Sequence, residues 1–229
     1  MSDRLRVMLE IGPKGKKVVA VAPDWPGLER GAKAEEEAVE RLRAYLPRYA
    51  SVAKLAGLDG EFSTDLPMDI VDRYPGVGST DFWGISFAFS DIDKQDMSTA
   101  ELERQLTLMQ ACWTFFDDVR SRVSAELLKG PRGGGRDRDQ VVRHTFGTER
   151  DWAKKLGVLT PESAMLTGDG LRAHRNDYVS AIREFHAQGK PARTWPLTYL
   201  IRHTAYHTMD HAWEMEDRDL TGHDDALEA

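Results

Sequence analysis

The chain has few cysteines and no long apolar run. Among its 229 residues it has one cysteine, Cys112, which cannot form an internal disulfide. That cysteine lies in the apolar stretch "LMQACWTFF", so we expect a buried, inert thiol rather than a reactive one. No apolar run approaches the length of a transmembrane helix, and the N-terminus lacks the apolar core of a signal peptide. We therefore expect a cytoplasmic protein without a membrane partner.

An excess of basic residues is also absent. Lysine and arginine number 31 against 38 acidic residues, giving a net charge of -7 and a pI near 5.5. Because phosphate contacts need a basic face, no nucleic-acid partner is expected. The content of 41% hydrophobic and 30% charged residues is typical of a globular protein, and the length suits one large domain or two small ones.

The first third of the chain has the pattern of a small α+β unit. Residues 6–11 and 17–22 are rich in β-formers around the turn "GPKGK", which predicts an antiparallel hairpin. The segment "PDWPGLERG" is interpreted as an irregular loop, and residues 32–58 as a helix that Pro47 ends or kinks. A further strand is expected within residues 61–74, and a loop plus a strand within 75–91.

The composition changes near residue 91, and long helical patterns follow. Ser98 and Glu101 have the spacing of a capping box, which predicts that a helix begins there. Four helices are expected, at residues 99–128, 139–157, 170–189 and 195–217. The glycine-rich segment "KGPRGGGRDRD" separates the first helix from the second. This number and length predict a bundle, and the expected domains are 1–94 and 95–229.

The last helix carries a stripe of histidines in "LIRHTAYHTMDHAWEMEDRD". His203, His207 and His211 recur every four residues, and positions four apart are displaced by only about 40° around a helix. His207 and His211 could therefore bind one metal ion, although a polar helix can also carry such residues on its solvated face. Asp210 and Glu214 on the same helix, and Asp117 and Asp118 elsewhere, are candidates to orient metal-bound imidazoles, or they are solvated surface groups.

A third ligand would have to come from another helix. His144, in "QVVRHTFGTERDW", lies in the middle of the second predicted helix and is the best candidate. His174 and His186 lie on the charged third helix and are interpreted as surface residues. His223 falls in the polar tail and receives no role.

These histidine-bearing segments resemble the DinB-like family of metal-binding four-helix bundles over roughly residues 95–220. The resemblance implies an up-down bundle in which His144, His207 and His211 are the metal ligands and His203 is a flanking residue. It also implies chemistry in which a divalent metal activates a small thiol for transfer or isomerisation. Many family members continue after the last histidine with an Arg-Gly-Gln run, whereas this chain continues "AWEMEDRD", so substrate contacts are not carried over.

The first 60 or so residues resemble HicB-like α+β units through the hairpin and the run "APDWPGLERGAKAEEEAVERL". This resemblance implies the fold of that unit, and we do not carry over a role in toxin neutralisation. The whole chain is thus expected to be an α+β protein, with a HicB-like unit followed by a DinB-like bundle.

Two functions from different classes follow from these expectations. The first is a metal-dependent S-transferase or isomerase that uses zinc or nickel and acts on a small-molecule thiol or electrophile. The second is a non-catalytic binding or regulatory module with a metal-stabilised bundle and an N-terminal unit that binds a protein partner. A bundle without metal, its histidines bonded to carboxylates, is a third interpretation. Trp195, Trp213 and residues 82–89 could form an apolar face for a homodimer; alternatively, residues 82–89 form a strand that joins the two units.

Overall fold

The computed structural model describes residues 4–130 and 134–221 and has a mixed α+β architecture. His223 lies outside these residues. The strands of the described chain are β1 (Leu5–Ile11), β2 (Val18–Val21), β3 (Glu29–Ala32) and β4 (Met68–Pro75). Its helices are α1 (Glu35–Leu55), α2 (Gly78–Trp83), α3 (Thr99–Arg122), α4 (Arg138–Ala153), α5 (Glu162–Met165), α6 (Gly168–Ala187) and α7 (Leu197–Asp217), with a 3₁₀ turn at Lys154–Leu156. None of the described helices has the length and apolarity needed to span a membrane.

The chain divides into two compact units. Unit 1 consists of Met1–Cys112 together with Thr194–Tyr206, and unit 2 consists of Trp113–Arg193 together with His207–Ala229. Helices α3 and α7 therefore each contribute residues to both units. The expected domains 1–94 and 95–229 stay a prediction.

The sheet of unit 1 has the strand order β3-β2-β1-β4. The predicted hairpin is confirmed, because β1 pairs antiparallel with β2. β3 continues the antiparallel pairing, whereas β4 pairs parallel with β1 and confirms the strand expected within residues 61–74. The prediction of an irregular loop over residues 23–31 is wrong over residues 29–31, which belong to β3. Glu29 and Arg30 have the polarity of loop residues, yet both are buried in the sheet.

Helix α1 continues through Pro47. It runs on from Glu35 to Leu55 with the proline inside it. A proline inside a helix removes one hydrogen bond and costs about 3 kcal/mol. Leu42, Leu46 and Tyr49 are completely buried on either side of it, and their packing holds the helix together.

The segment after β4 differs from the prediction of a loop plus a strand. It forms the short helix α2, and residues 84–98 contain no strand. Its backbone is satisfied by a side chain instead: Phe87 N and Ala88 N donate to the carboxylate of buried Glu10 at 3.0 and 3.1 Å. The hydroxyls of Thr80 and Ser86 also donate to Glu10. The interpretation of residues 82–89 as a joining strand is therefore wrong.

A buried arginine, Arg202, joins distant parts of unit 1. Its Nε and Nη2 donate to the two carboxylate oxygens of Asp93 at 2.7 and 2.8 Å, and its Nη1 donates to Ser86 Oγ at 3.0 Å. The same Nη1 lies 3.5 Å from Glu29 Oε2. Because Arg202 and Asp93 are both buried, their pairing replaces the water that these two charges lose on folding.

The four long helices α3, α4, α6 and α7 agree with the sequence apart from their ends. The capping box at the start of α3 is confirmed, since Glu101 N donates to Ser98 Oγ and Ser98 N donates to the Glu101 carboxylate. The same helix ends at Arg122, six residues before the predicted end. Beyond it, Ser124 N donates to Asp219 Oδ1 at 2.8 Å, so these residues bind the end of α7 rather than extending α3.

Aromatic and ionic contacts hold the four long helical segments of unit 2. Phe116 of α3 meets Phe146 of α4 with ring centroids 5.9 Å apart. Arg175 of α6 donates to Asp117 of α3 and to Glu149 of α4, at 2.6 and 3.1 Å. Trp213, expected on an exposed dimer face, is instead 1% exposed and lies in the core.

Candidate metal centre

Three histidines of unit 2 meet at one point. His144 projects from the middle of α4, and His207 and His211 project from successive turns of α7. One ring nitrogen from each lies within 4.8 Å of the others. His144 Nε2 and His207 Nε2 are 3.2 Å apart, and the ring centroids of the three pairs are 4.5 to 5.0 Å apart. These are the three residues that the sequence predicted as ligands.

The spacing of these nitrogens suits a metal ion. Zinc binds imidazole at about 2.0–2.1 Å, so two ligands at a tetrahedral angle would have nitrogens roughly 3.3 Å apart. The separation of 3.2 Å between His144 Nε2 and His207 Nε2 is close to that value. Two imidazole nitrogens this close, with a third nearby, have the geometry of a shared ligand set. The residues present therefore fit a divalent ion.

Glu214 orients the third imidazole. Its Oε2 lies 2.7 Å from His211 Nδ1, one helical turn away on α7. A carboxylate in this position accepts the Nδ1 proton, which leaves the Nε2 lone pair of His211 for a metal. Although partial burial opposes the shift, the hydrogen bond from His211 lowers the pKa of Glu214. The glutamate is therefore ionised at neutral pH, as this role requires.

Two arginines hold Glu214 in turn. Arg218 Nη1 donates to Glu214 Oε1 at 2.8 Å, and Arg136 Nη2 lies 3.3 Å from Glu214 Oε2. Arg218 also donates to the backbone carbonyls of Arg136 and Leu128, at 2.9 and 2.7 Å. The segment that leads into α4 is thereby tied to the last turn of α7.

No protein-family model, curated protein or solved structure matches this chain. The assignment of the cluster therefore rests on its own geometry and chemistry. The DinB-like and HicB-like resemblances stay expectations from the sequence.

The cluster has one protected side and one open side. His211 is 7% exposed, His207 is half-buried and His144 is exposed. Partial desolvation of the His144 ring, followed by its proximity to His211 and Arg136, lowers its pKa to about 4. His144 is thus neutral at pH 7, which is the form that binds a metal.

The other histidines have different surroundings. His203 is 4% exposed and stacks on Tyr199 with ring centroids 5.0 Å apart, in an aromatic group of unit 1 that includes Trp195 and Phe87. It is not a member of the three-histidine cluster. His186 is half-buried, less exposed than a surface residue was expected to be.

The prediction that His174 is a surface residue is wrong. It is 1% exposed, and its Nδ1 lies 2.7 Å from Thr160 Oγ1. It shares a face of α6 with Leu171, Tyr178 and Ile182, all of them buried. Burial, and then the charge of neighbouring Arg175, lowers the pKa of His174 to about 4, so it is a neutral core residue.

The contacts of Asp117, Asp118 and Cys112 show that each has a partner outside the histidine cluster. Asp117 and Asp118 form ion pairs with Arg120 and Arg122, respectively. Cys112 is completely buried, its Sγ lies 3.6 Å from the carbonyl oxygen of Pro26, and burial raises the pKa of its thiol. The expectation of a buried, unreactive thiol is thus supported.

Sequence reasoning missed three residues around the cluster. Arg136 and Arg218 hold Glu214, and the Trp152 ring meets His207 edge to face with centroids 5.2 Å apart. Arg218 follows Glu214 by four positions on one helix, a spacing that indicates an ion pair. Trp152 follows His144 by eight positions, which places it on the same face of α4 two turns later.

Proposed function

We propose that unit 2 binds one divalent metal ion, zinc or nickel, through His144, His207 and His211, and that it is a metal-dependent thiol transferase or isomerase. The observation that carries the proposal is the convergence of three imidazole nitrogens with Glu214 bonded to His211. Three neutral ligands with an exposed side are typical of catalytic sites, whereas structural zinc sites are closed by four protein ligands. The contacts among α3, α4, α6 and α7 are in keeping with a DinB-like bundle, which forms part of the proposal.

The charges around the cluster favour an anionic substrate group. Arg136 and Arg218 together outweigh Glu214, and the side chain of Arg136 is 39% exposed. A bound divalent ion would supply Lewis acidity, lowering the pKa of a coordinated thiol so that it reacts as the thiolate. Arg136 presents further N–H donors that can bind a carboxylate or thiolate beside His144. Trp152 supplies an apolar surface next to His207.

The first test measures metal content per chain, by elemental analysis of protein purified without a histidine tag. About one divalent ion per chain is expected, as a single site requires. His144→Ala, His207→Ala and His211→Ala should each lose it, because two imidazoles hold the ion far more weakly than three. His186→Ala is the matched control, since it removes an imidazole of the same unit outside the cluster. Equal metal content in all four variants would sink the assignment.

The second test addresses the reaction class. Cobalt-loaded protein is titrated with 2-mercaptoethanol and with 3-mercaptopropionate, and the visible absorption spectrum is recorded. Coordination of sulfur should change the spectrum, and the carboxylate-bearing thiol should bind more tightly because of Arg136. The advantage of 3-mercaptopropionate should disappear in Arg136→Met. A spectrum that neither thiol changes would exclude thiol activation at this site.

The alternative is a non-catalytic module in which the metal stabilises unit 2 and unit 1 binds a protein partner. Its HicB-like interpretation is supported by the three antiparallel strands followed by α1. Phe82 and Trp83, which are 72% and 63% exposed, give unit 1 an apolar surface suited to a partner or to a second copy. Sedimentation of the intact chain and of Trp83→Ser tests pairing of two copies. The module is favoured over the enzyme if metal is bound but no thiol reaches it.

A further inference from the structure

Helix α2 of unit 1 carries two large apolar side chains on the surface of the unit. Phe82 and Trp83 are 72% and 63% exposed, and Val77, the N-cap residue of the same helix, is 43% exposed. The rings of Phe82 and Trp83 meet edge to face with centroids 4.5 Å apart, so the two residues form one aromatic patch. An exposed apolar patch of this kind marks a surface that contacts another molecule or a membrane.

The other side chains of α2 hold the aromatic patch outward. The hydroxyl of buried Thr80 donates to Glu10 in the sheet. The carboxylate of Asp81 accepts three hydrogen bonds of 2.7 to 3.2 Å from the turn between β1 and β2, donated by the backbone N–H groups of Lys14, Lys16 and Lys17. Helix α2 is thereby fixed to the sheet and to this turn, and the two rings are left on its exposed side.

The turn between β1 and β2 brings positive charge to the aromatic patch. Lys14 and Lys16 are exposed, and neither ammonium group has an ion pair within residues 4–130 and 134–221. Lys17 runs beside Gly84, the residue after the patch, because a Cβ built there would lie 3.6 Å from Lys17 Cδ. Residues 12–17 and 78–83 together carry three lysines and one aspartate, a charge of 3 - 1 = +2, whereas the whole chain has a net charge of -7.

The acidic first turn of α1 lies on the opposite face of the sheet from α2. The guanidinium of Arg30 lies 3.7 Å from the ring centroid of Tyr45, so α1 covers the face toward which Arg30 points. Glu10, which holds α2, is in register with Val19, and Val19 is in register with Gly31, the neighbour of Arg30. Because neighbouring residues of a strand point to opposite faces, Glu10 and Arg30 point away from each other. The positive charge beside the aromatic patch is therefore not offset by these glutamates.

The combination of exposed aromatic rings and lysines favours an anionic lipid surface as the partner. Lysine is depleted from the cores of protein–protein interfaces, whereas lysines beside tryptophan or phenylalanine are typical of surfaces that lie at the boundary between headgroups and acyl chains. Single-stranded nucleic acid requires a long basic groove that follows its backbone, and three lysines on one turn do not form such a groove.

We propose that the aromatic patch and the lysines of the β1–β2 turn bind the surface of a membrane that contains anionic lipid. The two rings enter the boundary between headgroups and acyl chains, and Lys14 and Lys16 contact the lipid phosphates. The sequence gave an expectation of no membrane partner because it lacks a transmembrane run and a signal-peptide core, but neither pattern bears on a peripheral surface. This inference concerns unit 1 alone and does not depend on the metal centre of unit 2.

Co-sedimentation of the full chain with vesicles tests the proposal. Vesicles of phosphatidylcholine that contain about 30% phosphatidylglycerol are compared with vesicles of phosphatidylcholine alone. The protein should bind the anionic vesicles at least about tenfold more strongly, and added sodium chloride should weaken that binding. Equal binding to both kinds of vesicle, or no binding to the anionic vesicles up to millimolar lipid, would overturn the proposal.

Variants of exposed residues assign the binding to this surface. Trp83→Ser should weaken binding to the anionic vesicles at least about tenfold, and Lys16→Gln should weaken it about fivefold. Leu159→Ser removes a leucine of unit 2 that is 78% exposed, and Lys190→Gln removes another exposed lysine; both controls should bind as the parent does. Parental binding by either Trp83→Ser or Lys16→Gln contradicts the proposed surface.

Sedimentation equilibrium in the absence of lipid distinguishes a membrane from a second copy of the chain. The aromatic patch should be free in solution, so Trp83→Ser should leave the mass of the species unchanged. A dimer that dissociates in Trp83→Ser would assign the patch to a second copy and overturn the proposal.

Discussion

Replacement of Glu29 by glutamine should stabilise the protein at alkaline pH and have little effect at acidic pH. Glu29 is 1% exposed, and its Oε1 has no hydrogen bond within the described chain. Arg202 lies 3.5 Å from the other oxygen but is already held by Asp93. Burial raises the pKa of Glu29 to about 8, against the opposing charge of Arg202 and with a further increase from Glu10 and Asp93. The folded protein therefore keeps a neutral Glu29 at pH 7.

The sign of the pH effect follows from proton uptake. Between its ordinary pKa of 4.5 and about 8, Glu29 is ionised in the unfolded chain but protonated in the folded one. The unfolded state thus binds fewer protons, and the free energy of unfolding falls as the pH rises through this window. The loss is about 1.4 kcal/mol per pH unit, or about 3 kcal/mol more at pH 8 than at pH 5, once partial titration at both ends is included. Glutamine cannot ionise and escapes this loss.

Urea unfolding of both proteins at pH 5 and pH 8, followed by tryptophan fluorescence, measures the difference. The stability advantage of Glu29→Gln should grow by about 3 kcal/mol between the two values of pH. Glu10→Gln is the control in the same sheet. Its carboxylate accepts from two backbone N–H groups and two hydroxyls, so an amide NH₂ would face donors and destabilise the protein at both pH values. An advantage of Glu29→Gln that is equal at pH 5 and pH 8 would refute the reasoning.

Three further changes have definite expected outcomes. Gly135 has a φ of +133°, and a Cβ there would lie 2.6 Å from Arg218 Nη2. Gly135→Ala should therefore displace Arg218 and weaken metal binding at the proposed site about tenfold. Competition with a chelator measures this change in metal affinity. Gly147→Ala, inside α4 where a Cβ meets nothing within 4 Å, should instead raise the free energy of unfolding by about 0.5–1 kcal/mol; a loss of stability would contradict the open space seen there. Cys112 should react with iodoacetamide only after denaturation, as mass spectrometry of the native and urea-treated protein would show, and rapid modification of the native protein would contradict its burial.

The histidine cluster was predictable because its signal is local. A spacing of four places His207 and His211 on one face of a helix, whatever the rest of the chain does. His144 could be chosen because it lies in the middle of a second helix. The choice of Glu214 over the other acidic candidates was not predictable, because it depends on side-chain conformations and on Arg218 and Arg136, which compete for the same carboxylate.

The errors in the fold share a cause, which is that partners distant in sequence override local preference. β3 was missed because Glu29 and Arg30 have the composition of a loop, yet Glu29 pairs with Arg202, 173 residues later. The strand expected in the segment after β4 does not form, because the N–H groups of Phe87 and Ala88 bond to the carboxylate of Glu10 instead. His174 was placed on the surface because charged residues surround it in sequence, although its own face of α6 is apolar.

The discontinuity of unit 1 has a consequence for synthesis on the ribosome. Asp93 and Arg202 are 109 residues apart, so the acid is made well before its arginine. At translation rates of about 5–20 residues per second, the interval is roughly 5 to 20 s. During that time Asp93 must stay in contact with water, because the cation that allows its burial does not yet exist. The part of the chain that is made first therefore cannot complete its core until the last helix has been translated.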